Sequence, residues 1–407
     1  MHIVIIGGGV IGITSAYYLI QHGFKVTLIE KEPDTALEAS GMNGAQLEYN
    51  FIEPLACLKN LPAFLKPFLF NTNSAIHFSN RFDPDLISWG IKYFLETLPH
   101  RYQKSFKSLL ELSKSSQAEM LNFIKQKTFD FDYDPSGKLM LYNDKISLDK
   151  GYGFAKDLQE HGINSNRLSY AECLEKDPAL EHRATPLYGG LFFPNSSRGD
   201  CQKFTQNLTT LLQKNSNFLL LLNTKVEKII TENSVIKAVQ TNQEPIEADG
   251  FVMASGFSSK KLLEPLNINI PLYPMKGYSL TLNNHLNFKK SLSEMADRIV
   301  FSPLGERLRI AGMAEFDGKN QEINPKRMAF LKSRVKALYP DLDISRAETA
   351  IGMRPILPQT FPIIGNIAYK NLFLNTGHGM LGWTLALGSG KKLAQEISLF
   401  NEKKSKL

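Results

Sequence analysis

The first residues with chemistry in their spacing are Gly7, Gly9 and Gly12, in the run Ile3-Val-Ile-Ile-Gly-Gly-Gly-Val-Ile-Gly12. Gly-x-Gly-x-x-Gly after a strand and before a helix cradles a pyrophosphate. The first glycine permits the tight turn, the second lets the backbone approach the phosphates, and the third lets helix and strand pack closely. The N–H groups and dipole of the first helical turn favour the anion. Ile6, Val10 and Ile11 flank the turn, and Glu30, followed by Lys31, closes the next apolar run. A carboxylate there accepts from a ribose diol and disfavours a 2′-phosphate, which argues against NADP. The motif leaves FAD and NAD both open.

The remaining chemistry near the C-terminus lies in Gly377-His378-Gly379, which leads into a helical pattern starting near Met380. Its dipole and free N–H groups suit a developing negative charge. Gly382, Gly388 and Gly390 are costly in a solvated helix and make sense where the helix packs closely. Cys57, Cys173 and Cys201 lie far apart, and the eight histidines are scattered, so no metal site is expected. Sparse cysteine suits a reducing cytoplasm.

These residues need elements to hold them. His2–Ile6 reads as a buried strand, Val10–His22 as a helix stopped by Gly23, and Lys25–Glu30 as a second strand, together a βαβ unit. Helical patterns follow near Asp83–Leu98, Tyr102–Lys127, Gln202–Lys214 and Pro325–Tyr339, and the last runs from about Met380 to Phe400. Strands are expected at Gly137–Tyr142, Tyr188–Pro194, Phe218–Leu222, Lys225–Ile230, Ile236–Thr241, Gly250–Ala254 and Leu372–Leu374, with a turn at Asn233-Ser234. Asn267–Leu282 and Ile299–Gly312 suit an antiparallel sheet. The fold class is therefore α/β plus α+β: a Rossmann-like dinucleotide-binding domain with an inserted antiparallel-sheet substrate domain. The boundaries read as 1–80, 145–268 and 345–407 for the first and 81–144 and 269–344 for the second.

Bulk properties exclude more than they select. With 43% apolar and 21% charged residues over 407, the chain is globular and long enough for two cores. A net charge of +7 attracts nucleic acid, anionic membrane or acidic substrates, but the charge is not gathered into a block, and a solvated lysine-rich surface explains it as well. The largest run is the tail Lys403-Lys404-Ser405-Lys406. Nothing resembles an RNA-binding module, so no nucleic-acid partner is expected. No secretory n-region precedes Ile3, and no stretch reaches the ~18 apolar residues of a span. The segment Leu58–Phe70 is apolar, basic and aromatic, and reads either as a pocket-covering loop or as a contact with a membrane surface.

Several longer segments carry a resemblance. They are Ala39-Ser-Gly-Met-Asn-Gly-Ala-Gln46, Asp249-Gly-Phe-Val-Met-Ala-Ser-Gly256, Tyr273-Pro-Met-Lys-Gly-Tyr-Ser279, Gly352-Met-Arg-Pro-Ile-Leu-Pro358 and Asn375-Thr-Gly-His-Gly-Met-Leu-Gly-Trp-Thr384. In these the chain resembles the D-amino acid dehydrogenases, within the wider family of D-amino acid, glycine and sarcosine oxidases. The similarity is collinear over nearly the whole chain.

The resemblance implies non-covalent FAD, with its ring between the two domains. It implies oxidative deamination of a D-amino acid such as D-alanine to a 2-oxo acid and ammonia, by hydride transfer to flavin N5. Electrons would pass to a quinone-type acceptor, and the protein would be cytoplasmic or peripheral on the inner face of the plasma membrane. Glycine, sarcosine or proline-type amines are the alternative substrates.

Ser40, Asn43, Gly44, Ala45 and Gln46 are then expected beside the cofactor, with Val226, Ala254 and Gly256, and with Gly377, Gly379, Met380, Leu381 and Gly382 at the ring. Arg354 matches the family's carboxylate-binding arginine. Tyr278 and Lys276 fall where the substrate sheet would face the flavin; Tyr278 would donate to the substrate carboxylate or else turn onto a core face. His378 lines the flavin or fills a turn. One segment departs from the family's Asn-Ala-Gly-Gln: here it is Asn43-Gly-Ala-Gln46, with the two small residues inverted.

Overall fold

Four consecutive β-branched residues make His2–Ile6 the central strand of a buried parallel sheet, where both faces are covered and apolar runs replace alternation. Lys25–Ile29 pairs in parallel on one side and Gly250–Met253 on the other. The full order is Ile363–Asn366, Leu372–Thr376, Gly250–Met253, His2–Ile6, Lys25–Ile29, Phe218–Leu221, with only the first strand antiparallel to its neighbour. The computed structural model describes residues 1–50, 52–70, 74–79, 82–126, 129–318 and 320–405. Lys127 of the expected long helix and Lys406 of the basic tail lie outside them.

Helix Val10–Gln21 packs against the last helix, Gly382–Ser405, which also crosses Pro99–Lys125. The glycines of the last helix explain the closeness. A Cβ on Gly390 would sit 2.8 Å from the Thr14 carbonyl oxygen, and one on Gly388 2.8 Å from that of Leu112. Ser116 Oγ seals the second crossing by donating to Thr384 O at 2.6 Å.

The second sheet has nine strands. Its order is Glu348–Ile356, Tyr273–Asn283, Arg307–Phe316, Ile299–Leu304, Ser291–Glu294, Lys138–Tyr142, Gly189–Phe193, Asn166–Ser169, with Ile76–Phe78 added beside Arg307–Phe316. It is mixed rather than antiparallel throughout: Ile76–Phe78 and Lys138–Tyr142 each pair in parallel with a neighbour. A small meander, Val226–Glu232, Val235–Thr241 and Ile246–Glu247, turns at Asn233 and Ser234, both left-handed at φ 50° and 61°.

Sheet membership cuts across the boundaries read from sequence. Asn166–Ser169, Gly189–Phe193 and Glu348–Ile356, expected with the dinucleotide domain, belong to the nine-stranded sheet. Helix Pro99–Lys125, expected with the substrate domain, buries Met120 and Phe123 in the same core as Ile3 and Leu393. Periodicity reports which residues are buried; it carries no information about which sheet buries them.

Candidate active site

A cavity of about 1600 Å³ runs between the two sheets. It exceeds the roughly 300–1,000 Å³ of ordinary small-molecule sites. One end is the glycine cradle. Gly7 is left-handed at φ 113°, and a Cβ there would lie 2.6 Å from Ala254 O. A Cβ on Gly12 would collide with the carbonyl of Gly7, so Gly12 sits behind the turn and does not line the cavity. Glu30 is buried at the rim. Its carboxylate accepts from Gly8 N–H at 2.6 Å and Glu32 N–H at 3.0 Å, while desolvation raises its pKa above the usual carboxylate value. Lys31 beside it bonds Glu38 at 2.6 Å.

Ile6, Gly9, Val10, Ile11, Val226, Ala254 and Gly256 also line this end. The Val10 N–H, however, does not face outward: it donates to Ser40 Oγ at 3.0 Å, so the loop after the second strand supplies a cap to the helix start. That loop is braced from the other sheet. Arg309 Nη1 donates to Gly41 O at 2.7 Å and Asn43 O at 3.1 Å, and Ser302 Oγ to Gly44 O at 2.7 Å. Within it, Ala45 N–H donates to Asn43 Oδ1 at 2.7 Å. Ser40, Asn43, Gly44 and Gln46 face the cavity, and Ala45 is buried behind them at φ 62°.

The far wall holds the remaining expected residues. Gly377 (φ 85°), His378, Gly379, Met380, Leu381 and Gly382 all line it; Gly379–Leu381 forms a 3₁₀ turn and the helix proper starts at Gly382. His378 is 2% exposed, and desolvation pushes its pKa down to about 3, so the imidazole is neutral.

Arg354 projects into the same cavity from the edge strand of the nine-stranded sheet. Its Nη1 donates to Met313 O at 3.0 Å, and no carboxylate pairs with it among the described residues. Surrounded by protein yet open to the cavity, its pKa is pulled down to about 10 by desolvation alone, and it remains a cation at neutral pH.

Tyr278 and Lys276 are elsewhere. Strand residues alternate faces, and here Met275 and Gly277 line the cavity while Lys276 and Tyr278 point away. Tyr278 is 1% exposed in the sheet's other core and its hydroxyl donates to Glu315. Lys276 lies 3.2 Å from Asp317 and 3.6 Å from Glu315. Burial raises the Glu315 carboxyl, but hydrogen bonds from Tyr278, Ser79 and Asn324 outweigh it and hold the group ionised. Neither residue places a donor or a charge at the reacting end.

The donor set suits a dinucleotide with a polar ring system. Asn375 Oδ1, His378 Nε2 and Glu48 Oε1 are buried at the cavity wall with no hydrogen-bond partner in the protein, the pattern expected of groups that a polar ligand satisfies.

Comparison with known proteins agrees. Residues 2–396 match the FAD dependent oxidoreductase family. The chain is 34% identical over 404 residues to a D-amino acid dehydrogenase of Rhizorhabdus wittichii, covering 98% of this chain and 96% of the relative. It is 35% identical over 407 residues to that of Dechloromonas aromatica, covering 98% and 97%. The chain belongs to the D-amino acid dehydrogenase family of FAD-dependent oxidoreductases. The fold of this flavoenzyme matches glycine oxidase from Bacillus cereus at a TM-score of 0.74 and 22% identity, covering 99% of this chain and 95% of the other. It matches L-proline dehydrogenase from P. horikoshii at 0.74 and 17%, covering 98% and 93%.

Three cavity or bracing residues of the flavoenzyme are not singled out by the sequence. Lys138 Nζ meets Glu48 Oε2 at 2.5 Å on the cavity wall; a lysine inside the apolar strand Lys138–Tyr142 was the available signal. Arg309, in Arg307-Leu-Arg-Ile310, carried a similar one. Arg298 lies in a turn and carried none.

Proposed function

We propose that this flavoenzyme oxidises the α-amine of a D-amino acid, giving a 2-oxo acid and ammonia. Arg354 carries the proposal: a guanidinium with no acidic partner among the described residues, fixed to Met313 O, in a cavity whose other end is a dinucleotide cradle. Bound FAD supplies the two-electron acceptor for the hydride on the substrate α-carbon.

The protein's part is positional. Arg354 holds the carboxylate through paired N–H donors and fixes the orientation of the α-carbon. Neutral His378 offers a hydrogen bond rather than a proton-accepting base, since its pKa of about 3 leaves it a poor acceptor of protons. The amine therefore enters in its neutral form, and water hydrolyses the imine in solution. Anaerobic bleaching of the flavin by a panel of amines, with both enantiomers, tests the reading. Bleaching by L-proline or sarcosine and by no D-amino acid overturns it.

The electron acceptor in this reading is a quinone reached at a membrane surface. No described helix is long and apolar enough to cross a membrane. Support comes from two helices, Leu61–Phe70 and Pro84–Glu96, which bury Phe64, Trp89 and Tyr93 in one cluster and expose apolar residues on their other sides. Phe70 is 72% and Ile91 60% exposed, with Leu69, Ile87 and Phe94 also open. These helices border the cavity through Phe64 and Asp85, and Leu55 and Asn60 just before them do the same. Lys59 bonds Glu53 at 2.6 Å and stands over the Phe154 ring. Flotation with phosphatidylglycerol vesicles, comparing wild type with an Ile91→Asp, Phe94→Asp variant, tests the contact. Equal recovery with lipid overturns it.

A further inference from the structure

The cavity is lined by a second guanidinium with no acidic partner among the described residues. Arg298 ends the turn Met295–Arg298 between two strands of the nine-stranded sheet and lines the cavity. Its side chain is exposed to solvent at the cavity edge and makes no hydrogen bond or ion pair among the described residues, and Tyr93 is the titratable group that acts on it. The carboxylates that would ordinarily neutralise it are taken. Asp297 accepts from Arg334 Nε at 2.6 Å, Glu294 from Arg183 Nη2 at 2.9 Å, and Glu53 pairs with Lys59 at 2.6 Å. Tyr93 itself donates to Leu55 O at 2.9 Å.

Arg298 is also tied to the carboxylate clamp. A Cβ on Gly312 would lie 3.0 Å from the carbonyl oxygen of Arg298, and the next residue, Met313, accepts from Arg354. The backbone at Arg298 thus packs beside the Gly312–Met313 segment that seats Arg354, and both arginines line the same cavity.

We propose that Arg298 is a specificity-determining residue that takes a second carboxylate, so the preferred substrates are D-amino acids with an acidic side chain. The proposal rests on the reading of this cavity as an amino-acid oxidase site. With the α-carboxylate on Arg354, a side-chain carboxylate is the group that matches an uncompensated guanidinium in the same chamber. A monocarboxylic substrate makes no use of that charge.

The test uses the FAD-loaded enzyme and two readouts. Non-reacting carboxylates are titrated while the flavin absorption spectrum is followed: propionate as the monocarboxylate, malonate and succinate as the dicarboxylates. The expected result is a dicarboxylate Kd at least about tenfold below that of propionate. Arg298→Met should remove the advantage, raising the dicarboxylate Kd about tenfold or more, to the level of propionate. It should leave propionate binding and flavin content unchanged, and Arg298→Lys should restore part of the preference. Equal Kd values in the wild type, or equal weakening of both classes by Arg298→Met, overturn the proposal. In the second readout, D-aspartate and D-glutamate should reduce the flavin at lower KM than D-alanine, and Arg298→Met should reverse the order. Failure of every D-amino acid to bleach the flavin sinks the parent reading; the carboxylate titration still decides the role of Arg298.

Discussion

Gly277 lies directly beneath the guanidinium of Arg354: a Cβ at residue 277 would meet Nη2 and Cζ of Arg354, and would stand 2.9 Å from Nε. The two residues are on neighbouring strands, where Gly277 pairs with Gly352 and Met275 with Arg354. The side-chain-free position lets the guanidinium lie flat on the sheet and reach Met313 O.

Gly277→Ala is therefore expected to lift Arg354 off its seat without touching the dinucleotide cradle. KM for the amino acid should rise about tenfold or more, since misplacement by about 1 Å can cost that order of rate or binding. Flavin content should stay at the wild-type level. A variant with unchanged KM would show that the flat seat is irrelevant to substrate binding.

Removal of the clamp itself should be more severe. Arg354→Met keeps an unbranched chain of similar reach but no charge. Loss of one partner of a desolvated charge pair costs about 2–5 kcal/mol, so kcat/KM should fall by about thirtyfold to several thousandfold, with FAD retained. Arg354→Lys should recover only part, because an ammonium cannot make the bidentate contact. Steady-state kinetics on a soluble dye acceptor measures both.

The strand period decides what the sequence could reveal here. The resemblance puts Tyr278 and Lys276 where the substrate sheet would face the flavin, yet the pleat sends residue 277 to the cavity and its neighbours away. The face could not be chosen because Tyr273–Asn283 is buried on both sides, so the usual apolar alternation is missing. The cradle was legible for the opposite reason. Gly7, Gly9, Gly12 and Glu30 are local in sequence, and their spacing encodes one βαβ geometry. Arg309 and Ser302 brace the loop at Gly41–Gly44 from more than 250 residues away, which no local pattern reports.

The inverted pair Gly44-Ala45 yields a stability prediction. Ala45 is held at φ 62°, where a Cβ costs roughly 1 kcal/mol. Ala45→Gly should raise stability by up to about 1 kcal/mol, less the entropy that glycine adds to the unfolded chain. Gly44→Ala should do the reverse, since its Cβ would lie 2.9 Å from Val300 Cγ2. The double exchange restores the order Ala-Gly and should be no more stable than wild type. Thermal unfolding of the three variants separates backbone strain from crowding.

His378 sets a pH dependence that is independent of substrate. Its ordinary pKa of 6.5 falls to about 3 in the folded protein because burial disfavours the imidazolium. Below pH 6.5 the unfolded chain binds the proton and the folded protein does not, so stability is fully present above 6.5 and declines as pH falls toward 3. The slope is at most about 1.4 kcal/mol per pH unit. His378→Gln lacks this titration. The difference in unfolding free energy between wild type and variant should thus shrink by about 1.4 kcal/mol between pH 7.5 and 5.5, with both proteins measured in the same flavin state. The same neutrality predicts that His378→Gln lowers turnover without moving either limb of the pH–rate profile between pH 6 and 10. A limb that disappears in the variant would mean that His378 exchanges a proton during the reaction, and would assign it the base that this geometry does without.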